Sequence, residues 1–266
     1  MGASGVSGKI LICTKAAAYR YCPAPPTIVF SGTLYKISFP WYHKHMYIQQ
    51  SCAVPECTRA ALSQFDAAGE LVEGAGCCLE HSPDPEKVRN DIYTYIQSHE
   101  KIIGMNASGI TFMDIDLSGK KFYGCNFAFC EFINIHSAGF RSRMNIFDFS
   151  TFSDCNLLSS NIQFTSFAGC TFANTLFTGS DMVQDNFCGI EAYQCSFDDS
   201  DLYNSRFIRA KLINTSFRNC NVKKTVFNDL EQQNVSFKQS NTREAEFDRA
   251  GSELFQQAGY VGDINL

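Results

Sequence analysis

Residues 167–207 read FAGCTFANTLFTGSDMVQDNFCGIEAYQCSFDDSDLYNSRF. Every fifth side chain from Phe167 is large and apolar: Phe172, Phe177, Met182, Phe187, then, after Ala192, Phe197, Leu202 and Phe207. The register runs back to Phe112 and forward to Phe247, broken only in residue type at Ser137, Ser142, Ala192, Gln232 and Thr242. Two positions before these centres stands a column of small residues, among them Cys130, Cys155, Cys170, Thr175, Ser180, Cys195, Ser205 and Cys220. Residues i and i+2 of an extended chain point the same way, so both columns face one interior. A five-residue period fits neither an amphipathic helix nor a simple strand. It fits short extended pieces that turn a corner every fifth residue.

Four corners close a coil of twenty residues, and a second periodicity bears on this. Phe127, Phe147, Phe167, Phe187, Phe207, Phe227 and Phe247 form an uninterrupted series at spacing twenty. Asn134, Asp154, Asn174, Gln194, Asn214 and Asn234 form another. Coils stacked at strand spacing, about 4.8 Å, let the rings stack and the amides form a ladder. Seven coils then make a rod roughly 35 Å long.

These residues resemble the pentapeptide-repeat family, whose common form is A(D/N)LXX, over slightly more than half of the chain. The resemblance implies a mainly β protein built as a right-handed quadrilateral β-helix of about seven coils. It also implies that the centre and the small residue two before it point inward, with three positions facing solvent. The inward cysteines then read as small hydrophobes rather than reactive thiols. Ser137 and Ser142, with Arg141 and Arg143 beside them, predict a local irregularity.

Ahead of the rod, SPDPEKVRNDIYTYIQSHEKIIG predicts a helix. Ser82 or Asp84 caps it, Pro85 suits its first turn, Val88, Ile92, Tyr95, Ile96, His99 and Ile103 share a face, and Gly104 ends it. It would cover the unpaired edge of the first coil. A short C-terminal helix at Ser252–Phe255, with Tyr260, is expected to close the far end. The domain reading is therefore 1–82, a β-rich head; 83–104, a capping helix; 105–250, the rod; and 251–266, a C-terminal cap.

The head carries the candidate chemistry. Short β-prone runs, Thr27 to Phe30 and Leu34 to Phe39, precede a segment with the spacing Cys52-x4-Cys57-x20-Cys78-x2-His81. Two short loops, each giving two ligands, suit tetrahedral zinc, and Gly74 and Gly76 allow a tight approach. The segment resembles small zinc modules with Cys-x4-Cys and a later Cys-x2-His. Cys77 competes with Cys78, and Cys13, Cys22, His43 and His45 leave a second site open. Four protein ligands imply a structural rather than a catalytic zinc, since no position stays open for water.

Bulk composition narrows the function. There are 24 Phe, 13 Cys and 1 Trp, with 18% charged residues and a net charge of −5. That balance argues against a strongly basic nucleic-acid binder. The odd cysteine count excludes a fully paired disulfide scaffold. No apolar run suits a membrane span, and the N-terminus lacks signal-peptide character, so a cytoplasmic address is expected. No phosphate-cradling glycine loop, nucleophile elbow or His-Glu-x-x-His occurs, which predicts a non-enzymatic interaction scaffold with an unidentified protein partner. An acidic run, Asp181, Asp185, Asp198, Asp199 and Asp201, is the candidate interaction surface. Some pentapeptide-repeat proteins imitate duplex DNA and bind type II topoisomerases, and some dimerise through C-terminal elements. The resemblance therefore leaves gyrase binding and a homodimer as alternatives, besides a nucleic-acid-binding zinc head. Against imitation of DNA, residues 107–249 hold 16 acidic and 13 basic side chains, with a basic stretch following the acidic one.

Overall fold

The computed structural model describes residues 50–72, 74 and 76–248, together with the backbone of two strands further upstream. The chain divides into two compact units, Met1–Lys44 and His45–Leu266. In the first, β1 (Thr27–Phe30) pairs antiparallel with β2 (Thr33–Lys36), in agreement with the β-prone runs. The cysteine-rich segment falls in the same unit as the rod. The reason is direct bonding: Asn106 donates from Nδ2 to the Ala61 carbonyl, and the Ser63 N–H donates to the Asn106 carbonyl.

The second unit is a four-sided parallel β-solenoid. One face is a seven-stranded sheet, running from Thr111–Met113 to Glu231–Gln233 at intervals of twenty residues. Another is a five-stranded sheet from Lys101–Ile103 to Asp181–Val183, carried on by the bridges Asp181↔Asp201, Asp201↔Asn221 and Asn221↔Asn241. Bridged columns through Asn126, Ile146 and Ser166, and through His136, Asn156 and Leu176, make the remaining two. Corners are set by left-handed backbone at every fifth residue from Gly104 to Glu244. Asn, Asp and Gly suit this conformation. Phe129, Met144, Phe149 and Phe164 adopt it too, with φ between 55° and 59°.

The interior is phenylalanine. Rings of the column from Phe127 to Phe227 stack at centroid distances of 4.7–5.1 Å, and their planes lie within 14° of parallel. Phe247 continues the stack but is half-buried, since it stands on the last described coil. Neighbouring columns meet edge to face, as Phe187 does with Phe197 at 84°. Both arrangements suit the ring quadrupole.

The expected irregularity at Ser137 and Ser142 does not occur. Arg141–Arg143 is a regular strand, and both serines are buried. Volume has moved to the other inward position: Ile135 stands before Ser137, Phe140 before Ser142, and likewise Ile190 before Ala192, all buried. A volume-conserving exchange between two inward columns leaves the coil intact. Ser142 also joins a buried polar group with Thr165 and Asn145.

The predicted helix is α1, Pro85–Ser98, with Asp84 accepting from the Lys87 N–H. It is shorter than expected, because Lys101–Ile103 already pairs with Lys121–Tyr123 as the first strand of the rod. Ile92, Tyr95 and Ile96 are buried against the rod's core. Tyr93 Oη donates to the Thr111 carbonyl and accepts from the Met113 N–H. Thr111–Met113 is the outer strand of the seven-stranded sheet, so the helix does occupy an edge. The C-terminal cap, with Phe255 and Tyr260, lies outside the described residues.

Candidate metal centre

Two short loops build the site. The first spans 51–60, closed by an antiparallel bridge between Ser51 and Ala60 and by a Cys52 N–H to Arg59 carbonyl bond. Within it the Cys57 N–H bonds the Val54 carbonyl, and Glu56 turns the chain with a φ of 65°. The second loop carries Cys78 into the 3-10 turn Leu79–His81, whose His81 N–H returns to the Cys78 carbonyl. A hairpin between them, β3 (Gln64–Phe65) and β4 (Leu71–Val72), turns at Asp66, whose carboxylate accepts from the Ala68 and Glu70 N–H groups.

The loops are held together by Ala53 N–H to Gly76 carbonyl and Leu62 N–H to Cys77 carbonyl bonds. A Cβ at position 76 would stand 2.7 Å from the Leu62 carbonyl oxygen, so only glycine permits this approach.

The structure brings together all four sequence-predicted ligands. The donor atoms of Cys52, Cys57, Cys78 and His81 lie within 4.8 Å of one another. Cys52 Sγ is 3.4 Å from His81 Nδ1, Cys78 Sγ is 3.5 Å from it, and the Cys57 and Cys78 sulfurs are 4.0 Å apart. Zn–S and Zn–N bonds of about 2.3 and 2.0 Å give tetrahedral edges of about 3.5–3.8 Å. The set therefore fits a tetrahedral metal. Cys77 is not in the cluster, which resolves the competition in favour of Cys78. Cys13, Cys22, His43 and His45 lie outside the described residues.

The electrostatics suit a thiolate site. Burial opposes ionisation of Cys52, but the backbone N–H groups of Cys78 and Val54 and the His81 ring bring its thiol down to about 6. Cys57 is lowered by the Arg59 backbone, but desolvation and the Cys52 and Cys78 sulfurs outweigh this and raise it. A bound cation would relieve that crowding of thiolates. Arg59 and Glu80 form an ion pair beside the site.

The acidic run is not one surface. Asp181 and Asp199 are exposed, and Asp198 and Asp201 are half-buried. Asp185 is a correction: it stands two residues before Phe187, in the inward small column, and is only 2% exposed. The spacing already carried that signal, which its charge obscured. The outward carboxylates also serve the ladder. Asp199 accepts from Asn219 at 2.8 Å, Asp201 from Asn221 at 3.0 Å and Asp181 from Asn161 at 3.3 Å. The series expected as a ladder bonds in pairs, Asn174 donating to Asp154 and Asn234 to Asn214, while Asn134 donates to Asp114.

Comparison with known proteins agrees with this geometry. Residues 170–247 match the family model described as a pentapeptide repeat region. The same coil, corner and inward columns continue upstream of that match, so the rod is a pentapeptide-repeat solenoid. QnrB1, a plasmid-mediated fluoroquinolone resistance protein, matches at 15% identity over 60% of this chain and 90% of its own, with a TM-score of 0.36. Rfr23, a pentapeptide repeat protein from the cyanobacterium Cyanothece 51142, matches at 9% identity over 54% and 88%, with a TM-score of 0.31. HetL, involved in heterocyst differentiation regulation in Nostoc sp. strain PCC 7120, matches at 12% identity over 59% and 93%, with a TM-score of 0.23. No curated protein sequence matches the chain. Among the described residues no helix is long and apolar enough to cross a membrane.

Proposed function

We propose that this protein is a non-enzymatic scaffold that presents the faces of a rigid rod to protein partners, with a structural zinc ion held by Cys52, Cys57, Cys78 and His81. The filled interior carries this reading. Between Phe112, Phe122, Phe127, Phe132 and Phe147 the remaining void is about 10 Å³, room for a single water at most. Binding therefore belongs on the outside, where side chains project in columns at strand spacing. Thiolate ligands suit a reducing, cytoplasmic setting.

Imitation of duplex DNA is disfavoured by one face of the rod. Lys101, Lys121 and Arg141 occupy the same column as Asp181 and Asp201, whereas an imitation needs continuous negative charge.

The test of the scaffold is affinity capture with the full chain, against a variant with Asp198→Lys and Asp199→Lys and with unchanged circular dichroism. A partner captured by the parent and lost from the variant is expected. An identical set of captured proteins removes these two side chains from the interaction surface. Metal analysis of purified parent and Cys57→Ser protein tests the zinc, with about one equivalent expected in the parent.

A further inference from the structure

The five-stranded face carries a charge pattern complementary to its own reverse. Its first outward column reads Lys101, Lys121, Arg141, Asn161, Asp181, Asp201, each paired in register with the next. Three cations stand one strand spacing apart, then two carboxylates do. Like charges directly opposite in a sheet repel, so the column is unfavourable within a single rod. Internal partners answer it in part: Lys121 pairs with Glu100, and Asp181 and Asp201 accept from amides. Among the described residues the Arg141 guanidinium has no ion pair.

We infer that this face binds a second copy of the chain, antiparallel, about a two-fold axis that lies along the strand direction over Asn161. A two-fold interface is isologous, so residue i meets j and j meets i. Counting outward from Asn161, Arg141 then faces Asp181 of the second copy, and Lys121 faces Asp201. Both contacts occur twice. A parallel arrangement would set the charged column against the column of Tyr123 and Val183, which holds no carboxylate, and gains nothing.

Two other observations converge on the same axis. The second outward column runs Tyr123, Arg143, Gln163, Val183, with Tyr203 twenty residues further. Reversal about Gln163 sets Tyr123 against Tyr203 of the second copy. The corner beside that column carries Met144 and Phe164, which are 67% and 53% exposed. Both hold the left-handed conformation that Gly and Asn occupy elsewhere. Phe164 lies level with Asn161, so the two-fold sets it against its own copy and places Met144 alongside. Large apolar side chains standing in water at the corner of a face with a charge-matched column mark an interface.

The inference extends beyond the scaffold reading and does not rest on the zinc site. Exposed ion pairs are individually weak and screened by salt, so the association is concentration-dependent and strongest at low ionic strength.

Sedimentation equilibrium of the full chain at low and high salt tests it. The parent is expected to dimerise at low salt and to weaken as salt rises. Arg141→Asp and Asp181→Arg, each alone, are expected to weaken self-association at least about tenfold, because each sets like charges across the axis. An equimolar mixture of the two variants restores dimer. In that mixed pair the introduced carboxylate meets the introduced guanidinium at one contact, and the native pair of Arg141 and Asp181 survives at the other. The recovery also shows both variants to be folded. A parent that is monomeric at low salt, single variants that dimerise as the parent does, or a mixture that fails to recover would each overturn the assignment.

Discussion

Asp185→Asn is expected to stabilise the rod near neutral pH. Most polar residues in the inward small columns share one bond: the side chain donates to the carbonyl 23 residues back. Ser150 does so to Phe127, Ser200 to Phe177, Ser205 to Met182, and Asn145 through Nδ2 to Phe122, at 2.7–3.0 Å. Ser160 and Thr165 are exceptions that bond the Leu157 and Gln163 carbonyls. Asp185 obeys the companion bond, Oδ1 accepting from the Thr165 N–H at 2.7 Å, but its Oδ2 is buried without a partner. An ionised carboxylate has no proton to give to the carbonyl of Ile162. Desolvation accordingly raises the group from 3.8 to about 8, against the lowering effect of the Thr165 N–H, with no charged side chain contributing. An acid raised in the folded state loses stability as pH climbs. Below 3.8 both states are protonated and nothing is lost. Between 3.8 and about 8 the unfolded chain releases its proton while the rod keeps it, at about 1.4 kcal/mol per pH unit. At pH 7 the accumulated cost is about 4 kcal/mol. Asparagine keeps the shape and supplies the missing donor, as Asn145 does. Urea unfolding followed by circular dichroism, at intervals from pH 4 to pH 8, should show a gain of about 2–4 kcal/mol at pH 7 that shrinks toward zero at pH 4. A difference independent of pH, or a variant less stable than the parent at pH 7, refutes the assignment of a buried neutral acid.

Phe187→Ala removes a ring stacked on Phe167 at 5.1 Å and on Phe207 at 4.7 Å. A loss of about 3–5 kcal/mol is expected in chemical denaturation, and a loss below about 1 kcal/mol would mean the coils collapse onto the gap. Gly169→Ala places a Cβ 2.7 Å from the Phe149 ring at a φ of +66°. It should cost about 1–2 kcal/mol, and the Phe149→Ala background should remove the part due to the ring, as read by a double-mutant cycle. Chelation should lower the thermal midpoint of the parent but leave Cys57→Ser unchanged, and equal shifts in both would speak against a structural metal.

The period of five and the series at twenty made the solenoid legible, because a closed coil must return each inward residue to one place. The metal cluster was legible for a related reason: ligands on turns of a few residues are brought together by the turns themselves. The choice between Cys77 and Cys78 was not, since it depends on which backbone carbonyl the distant Leu62 N–H selects. The corners were hidden by residue type. Left-handed backbone is signalled by Gly, Asn and Asp, and Phe129 and Phe149 break that code by stacking on each other at 5.3 Å over Gly169. Asp185 and the serines at 137 and 142 mislead in opposite directions. At Ser142 the centre looked wrong, although Phe140 beside it conserved the volume. At Asp185 the size was right, and the charge suggested a surface position. What the inward column tolerates is a side chain of fitting bulk that is either apolar or has a proton to donate, and aspartate meets this only when neutral. That selection accounts for the mixture of Cys, Ser, Thr and Asn in the column, since each can donate to the carbonyl one coil back while filling the same small space.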